Sequence, residues 1–164
     1  DSPAGEDFMG DRVKIIRKET EMADSNSTVN IKWIHSSKTL MAGIDSRGTP
    51  VVIGMWSEKD TLWRGLKASD LLLMSAASCS TYDVVTILKK KREPLESLEV
   101  ICTGEQESEP PNKFTHIHLH YIIKGQLKTE SVEKAIQLSE EKYCSVLNTL
   151  KGSVEITSDF EIIE

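Results

Sequence analysis

The order of its strand and helix patterns predicts that this chain is an α+β protein. Residues 29–35 alternate apolar and polar side chains, which is typical of a strand. Residues 69–91 form a long segment whose centre is apolar nearly all round, and residues 131–150 repeat apolar side chains at helical spacing. With the strand patterns elsewhere, these segments give the order β-β-helix-β-β-helix-β.

The first two strands are predicted at residues 29–35 and 51–56, with a turn at residues 45–50 between them. The first helix follows, and Ser69 is its expected N-terminal cap, because a serine hydroxyl can accept a free backbone N–H. Pro94 is expected to stop it.

The second half of the chain repeats the strand and helix patterns. Residues 98–103 and 114–124 are predicted to pair as an antiparallel hairpin with a long connection. The second helix is expected to run without a break over residues 131–150, and Gly152 ends it. Residues 154–163 alternate again and are predicted to form the last strand.

The composition predicts one domain at residues 29–164, behind a polar N-terminal arm at residues 1–28 that is expected to be mobile or to carry a short strand. Hydrophobic residues make up 38% of the chain and aromatic residues 5%, so we expect a thin core that a partner chain helps to cover. The net charge of −6 argues against nucleic acid or an anionic membrane as the main partner.

The sequence favours a cytoplasmic protein. Its best apolar stretch, residues 71–79, is about half as long as a bilayer requires. Residues 1–28 lack the apolar segment of a signal peptide. Three cysteines, an odd number, do not suggest a secreted disulfide framework.

Two of these cysteines, Cys79 and Cys144, lie inside the two predicted helices. If the helices pack together, the two thiols can cycle between dithiol and disulfide; the alternative for each is inert core filling. Asp83 lies one helical turn after Cys79, but a nearby carboxylate raises a thiol pKa, so an activating cation must come from elsewhere. Cys102 lies on an apolar strand face and is interpreted as a core residue.

Three histidines, His116, His118 and His120, alternate along one predicted strand. Side chains two residues apart on a strand are separated by roughly 7 Å, which suits two ligands of one metal only if the strand bends. We therefore interpret this face as a polar surface, solvated or facing a dimer partner. A metal site is the weaker alternative, and no metal is predicted.

The segments LLLMSAASCSTYDVVTILKKKR, PPNKFTHIHLHYIIKG and AIQLSEEKYCSVLNTL resemble the OsmC/Ohr family. This is the osmotically inducible protein C and organic hydroperoxide resistance group, and the resemblance is to its OsmC-like, YhfA-type branch. It covers about residues 29–163. Both cysteine contexts, C-x-x-x-D-V-V-x-I-L and E-K-Y-C-S-V, occur in the family's order.

The resemblance implies an OsmC-like fold, an intertwined homodimer around two long central helices, and peroxidase chemistry on organic hydroperoxides in oxidative-stress defence. Cys79 matches the peroxidatic cysteine, which becomes a sulfenic acid. Cys144 matches the resolving cysteine, which condenses with that acid to a disulfide. No bound cofactor is implied, and an external dithiol reductant, often a lipoyl group carried on a protein, resets the pair.

The chain departs from the family pattern at the groups that activate the thiol. Family members carry a Pro-Glu pair whose glutamate lies ten residues before the peroxidatic cysteine, and an arginine on an N-terminal strand. Here Ala68 and Ser69 occupy the first two positions, and Thr39 the third. The candidate activating cations are therefore Lys38, Arg47 and Arg64.

Three functions remain open at this stage. The first is a dimeric thiol peroxidase that uses Cys79 and Cys144. The second, which the departures favour, is an OsmC-fold protein whose dimer-interface pocket binds a small apolar or thiol-containing ligand without turnover. The third is a metal-binding module on the histidine strand.

Overall fold

The computed structural model describes residues 26–34, 40–54 and 64–163. By its contacts the chain divides into two units, Asp1–Val52 and Ile53–Glu164. Nearly all of the predicted arm at residues 1–28 lies outside the described residues, so the predicted domain boundaries stay a prediction.

The first unit contains an antiparallel pair, β1 (Asn30–Trp33) and β2 (Leu40–Ile44), followed by the start of β3 (Pro50–Gly54). The turn before β3 is built on Asp45, whose carboxylate accepts the backbone N–H of Thr49 at 2.7 Å and of Arg47 at 2.9 Å. These hydrogen bonds hold the pKa of Asp45 below its ordinary value. β2 is not among the predicted strands.

The second unit begins within β3, which pairs in parallel with the two-residue strand β4 (Leu66–Lys67), where the sequence predicts a loop. Helix α1 (Ala68–Lys90) follows directly. A second sheet then has the order β5-β6-β7, in which β6 is antiparallel to β5, as predicted, and parallel to β7. Its strands are Leu95–Gln106, Phe114–Gly125 and Glu155–Ile163.

The core of this unit forms where α1 and the following helices pack together and onto the second sheet. α1 buries one stripe at four-residue spacing, and β6 buries every second residue, which is the period of a strand. The buried side chains are Ala76, Ser80, Val84 and Leu88 on α1 and Ile117, Leu119, Tyr121 and Ile123 on β6. Each large apolar side chain among them contributes about 1.5–3 kcal/mol by leaving water.

The predicted second helix is wrong as one continuous element. It consists of α2 (Thr129–Leu138), a π-helical turn (Ser139–Tyr143) and α3 (Ser145–Leu150). Cys144 lies between them with extended backbone, φ −70° and ψ 104°, and its N–H donates to the carbonyl of Ser139 at 2.9 Å. That bond spans five residues instead of four, a change that apolar periodicity does not reveal.

The predicted serine cap is also wrong. α1 starts one residue earlier, after Lys67. Among the described residues, no side chain caps it, and the buried Ser69 hydroxyl has no hydrogen-bond partner. At α2 the cap comes from outside the helix, because Glu93 accepts the backbone N–H of Lys128 at 3.2 Å. Hydrogen bonds from the Ser131 side chain and from Lys128 lower the pKa of Glu93.

By length and apolar composition α1 could cross a bilayer, with a mean hydropathy of 1.5. A core helix of a water-soluble protein has the same composition, and the buried stripe of α1 packs in the core described above. We therefore interpret α1 as a core helix. Only 22% of its apolar window is buried within this chain, so much apolar surface stays uncovered.

Candidate dithiol site

Three chemically active side chains come together where α1 meets the residue after the π-helical turn. The sulfur atoms of Cys79 and Cys144 and a carboxylate oxygen of Asp83 all lie within 4.8 Å of one another. Both thiols are reduced in this structure. A disulfide bond requires about 2.05 Å between its sulfurs, so closure needs a further approach of the two side chains.

The backbone around Cys144 explains how its thiol reaches α1. The extended conformation after the π-helical turn makes Cys144 the N-cap of α3, and its sulfur accepts the backbone N–H of Leu147 at 3.4 Å. The residue is completely buried. Burial, followed by the nearby Cys79 thiol, raises the pKa of Cys144 to about 12. Cys144 is therefore a protonated thiol at neutral pH.

The other two cysteines are half-buried. Cys79 lies on α1 and packs against the core. Cys102 lies on β5 against the same core, and burial raises its pKa. It is not part of the three-residue group.

A chain of hydrogen bonds leads from the core to Asp83. The Tyr121 and Ser80 hydroxyls are 2.5 Å apart, the Ser80 and Ser139 hydroxyls are 3.0 Å apart, and Ser139 donates to Oδ2 of Asp83 at 3.1 Å. Because Ser139 donates its single proton to Asp83, Ser80 must donate to Ser139 and Tyr121 to Ser80, so the three protons point towards Asp83. Burial raises the pKa of Tyr121, which keeps this first donor protonated.

The sequence analysis did not predict this series of hydrogen bonds. One signal was available, because Ser80 occupies a core position of the four-residue stripe on α1, between alanine and valine. A buried hydroxyl in such a stripe implies a hydrogen-bond partner. The partners themselves come from β6 and the π-helical turn and are not visible in the pattern of α1.

The three predicted activating cations stay a prediction. Lys38 lies outside the described residues. Arg47 is exposed in the turn before β3, and Arg64 is exposed just before β4. Over residues 26–34, 40–54 and 64–163, the ion pairs made by lysine or arginine are Lys67–Asp70, Lys113–Glu107 and Lys124–Glu96.

The position of the family's glutamate carries no charge here. Ser69 offers a buried hydroxyl instead, which finds no hydrogen-bond partner within the described part of the chain. The next residue, Asp70, lies at the surface 4.0 Å from Lys67.

Two sets of residues have donor atoms that a metal could use. Cys79, Asp83 and Cys144 offer two sulfurs and one oxygen, a donor set that suits Zn²⁺ once both thiols lose their protons. The three strand histidines are not gathered in this way. They pair with β7, through Thr157 for His116 (2.7 Å) and His118 (2.8 Å) and through Asp159 for His120 (2.5 Å).

Comparison with known proteins places the dithiol inside a family match. A family model described as OsmC-like protein matches residues 59–159, which contain Cys79, Asp83 and Cys144. Protein YhfA of Escherichia coli K12 is 45% identical over 95 residues, which are 57% of this chain and 71% of YhfA.

Solved structures share the fold. An OsmC-like protein from Mycoplasma pneumoniae has a TM-score of 0.73 at 18% identity, covering 86% of this chain and 99% of that one. The organic hydroperoxide resistance protein OhrB of Bacillus subtilis has a TM-score of 0.58 at 13% identity, covering 83% and 98%. The α+β architecture, the cysteine contexts and the family match agree: the chain belongs to the OsmC-like family of proteins.

Proposed function

We propose that this protein is a cytoplasmic, thiol-dependent peroxidase that reduces organic hydroperoxides. The observation that carries the proposal is the placement of the Cys79 and Cys144 sulfurs within 4.8 Å of each other, one half-buried and one buried. Two thiols so close can form a disulfide without refolding of the elements that carry them. The name of the Bacillus subtilis neighbour, an organic hydroperoxide resistance protein, supports the same activity.

The reaction proceeds in three steps. The Cys79 thiolate attacks the hydroperoxide, takes one oxygen as a sulfenic acid and releases the corresponding alcohol. Cys144 then condenses with the sulfenic acid, which forms the disulfide and releases water. An external dithiol, of the lipoyl type, reduces the disulfide and restores both thiols. The protein itself needs no bound cofactor.

The apolar setting of Cys79 favours organic over inorganic peroxide. Cys79 packs against the buried core cluster, most of whose members are hydrocarbon side chains. An alkyl group that packs there gains about 0.8 kcal/mol for each buried CH₂. Hydrogen peroxide has no such group, so it is expected to be the poorer substrate.

The protein is proposed to act as a homodimer. Met74 is 54% exposed and Tyr82 73% exposed on α1, beside an open groove of about 740 Å³. Val100 of β5 completes the lining of this groove. A large apolar helix surface exposed on a single chain is typical of an interface, and a second copy of the chain can cover it.

Peroxide consumption coupled to a dithiol tests the activity. Wild-type protein with dihydrolipoate is expected to consume cumene hydroperoxide faster than hydrogen peroxide. Cys79→Ser should abolish turnover, whereas Cys102→Ser, the matched control for loss of a half-buried thiol, should keep it. Full turnover by Cys79→Ser would falsify the proposal.

A second function has its own supporting observation. Ser69 lies where family members carry glutamate, and no described lysine or arginine pairs with Asp83. A protein without an activated thiol could instead bind a small apolar or thiol-containing ligand. Stoichiometric binding of such a ligand, without peroxide consumption, would favour this alternative.

A further inference from the structure

Formation of the Cys79–Cys144 disulfide raises a chemical difficulty at Cys144. The thiolate, not the thiol, attacks a sulfenic acid or a disulfide. Cys144 is completely buried, beside a second sulfur and with Leu147 as its backbone donor. Burial raises its pKa to about 12, so almost none of it is thiolate at neutral pH. A base close to its sulfur is needed.

Asp83 has a carboxylate close to the Cys144 sulfur. One of its oxygens lies within 4.8 Å of both sulfurs, and the same carboxylate receives the Ser139 hydrogen bond at 3.1 Å. Ser139 in turn is fixed by Ser80, and Ser80 by Tyr121. The carboxylate is half-buried and, among the described residues, forms no ion pair that would occupy it.

We propose that Asp83 is a catalytic base and acid for disulfide formation, which moves a proton from the Cys144 thiol to the group that leaves Cys79. Asp83 therefore does not activate Cys79 towards peroxide. Its task begins after Cys79 has been oxidised. This inference rests on the proposed peroxidase function and assigns a residue to its second step.

The step balances without any further reactant. The Asp83 carboxylate takes the proton of the Cys144 thiol as the Cys144 sulfur attacks the Cys79 sulfur. The S–S bond forms, and the S–O bond of the sulfenic acid breaks with its electron pair on oxygen. The protonated Asp83 gives its proton to that oxygen, so water leaves and the carboxylate is restored.

The Ser139, Ser80 and Tyr121 hydroxyls are positioning residues in this scheme. Their protons all point towards Asp83, so their hydrogen bonds hold its carboxylate in place beside the two sulfurs. Among the described residues, the titratable groups near these hydrogen bonds are the two thiols, Tyr121, Glu140 in the π-helical turn and Cys102 on β5.

The first experiment measures disulfide closure without peroxide. The protein carries Cys102→Ser so that only two thiols remain, and it is mixed with one equivalent of 2,2′-dithiodipyridine in the presence of a chelator. Attack by Cys79 releases a first thiopyridone, and closure by Cys144 releases the second. Cys144→Ser shows the first release alone, and intact mass confirms the internal disulfide.

Asp83→Asn is the decisive variant, because asparagine keeps the shape and can still accept the Ser139 hydrogen bond. We expect the first release to be no slower than in the parent, because a neutral side chain beside Cys79 does not oppose its thiolate, and the second to be at least about tenfold slower at pH 7, within the range that a general base supplies. Closure by this variant should accelerate with pH as hydroxide replaces the base, whereas the parent should vary little. Ser139→Ala should slow closure less than Asp83→Asn.

Two outcomes overturn the inference: closure by Asp83→Asn within twofold of the parent at pH 7, or no closure by the parent. A second experiment with cumene hydroperoxide separates this inference from the proposed function. Asp83→Asn should accumulate a sulfenic acid at Cys79 that dimedone traps, while the parent passes directly to the disulfide. If peroxide oxidises Cys79 no faster than a free thiol, the peroxidase proposal fails, and the dithiodipyridine result still decides the role of Asp83.

Discussion

At the residue scale, the two thiols of the site differ in exposure and therefore in reactivity. Cys144 is completely buried and Cys79 half-buried. Iodoacetamide is expected to modify Cys79 in the reduced native protein at neutral pH and to leave Cys144 unmodified, because a buried thiol with a raised pKa presents almost no thiolate. Peptide mapping by mass spectrometry reads both sites. Equal labelling before denaturation would contradict the described environment of Cys144.

A second residue-scale prediction concerns the histidine strand. His120 donates to Asp159, and that hydrogen bond, with the charge of Asp159, raises the pKa of His120 and lowers the pKa of Asp159. Asp159→Asn should therefore return the pKa of His120 towards 6.5, its ordinary value. NMR titration of the ring measures it, with His116 as the internal control. An unchanged His120 pKa in the variant would argue against the pair.

The same pair gives stability a pH dependence of known sign. The raised pKa of His120 means that its contribution is complete below its ordinary pKa of 6.5 and is lost as pH rises through the folded value. The lowered pKa of Asp159 means that its contribution is present above 3.8 and is lost as pH falls through the folded value. The difference in unfolding free energy between wild type and Asp159→Asn should be greatest between these limits.

The sequence was sufficient to select Cys79 and Cys144 as candidates, because each falls in a segment predicted to be helical, although Cys144 itself has extended backbone. It was not sufficient to identify what surrounds them. Asp83 was rejected as an activator of Cys79, yet the structure places its carboxylate beside both sulfurs. That placement depends on which side chain of the second helical segment faces α1, and a single sequence does not contain this information.

At the element scale, the hydrogen-bond chain links α1, β6 and the π-helical turn. Its direction predicts which of two substitutions lowers the unfolding free energy more. Ser80→Ala leaves the buried Tyr121 hydroxyl without a described partner and should cost about 1–3 kcal/mol of unfolding free energy. Tyr121→Phe removes only the first donor and should cost less, because Ser80 still donates to Ser139. Urea unfolding followed by circular dichroism gives both values, and the reverse order would refute the proposed direction.

The long elements were predicted with small errors. α1 (Ala68–Lys90) was expected at residues 69–91, and β6 (Phe114–Gly125) at 114–124. Their patterns are strong because each buries a continuous stripe in the core. The short strands β2 and β4 were missed, since five and two residues carry little periodicity. The π-helical turn was missed because one extra residue in a turn leaves the spacing of apolar side chains nearly unchanged.

At the scale of the whole molecule, the uncovered face of α1 determines the predicted assembly. If a second copy covers it, Tyr82→Glu should convert a dimer to a monomer, because a charge would be buried in the interface. Tyr143→Glu, which alters an exposed aromatic residue on the π-helical turn, is the matched control and should stay dimeric. Size-exclusion chromatography with light scattering measures both masses. A monomeric wild type would contradict the prediction.

The family resemblance supplied what the local patterns did not. Strand and helix periodicity gave the α+β class, whereas the two cysteine contexts indicated the OsmC-like fold to which the chain belongs. The same resemblance singles out Ser69, because it implies a glutamate at that position.

The central claim is that Cys79 and Cys144 form one redox pair, and disulfide mapping after a single turnover tests it most directly. Reduced protein is mixed with one equivalent of cumene hydroperoxide or hydrogen peroxide, quenched by acid at short times and digested for mass spectrometry. The account predicts a Cys79–Cys144 peptide that forms faster with cumene hydroperoxide, while Cys102 stays reduced. Oxidation no faster than that of a free thiol, or a disulfide that involves Cys102 instead, would contradict it.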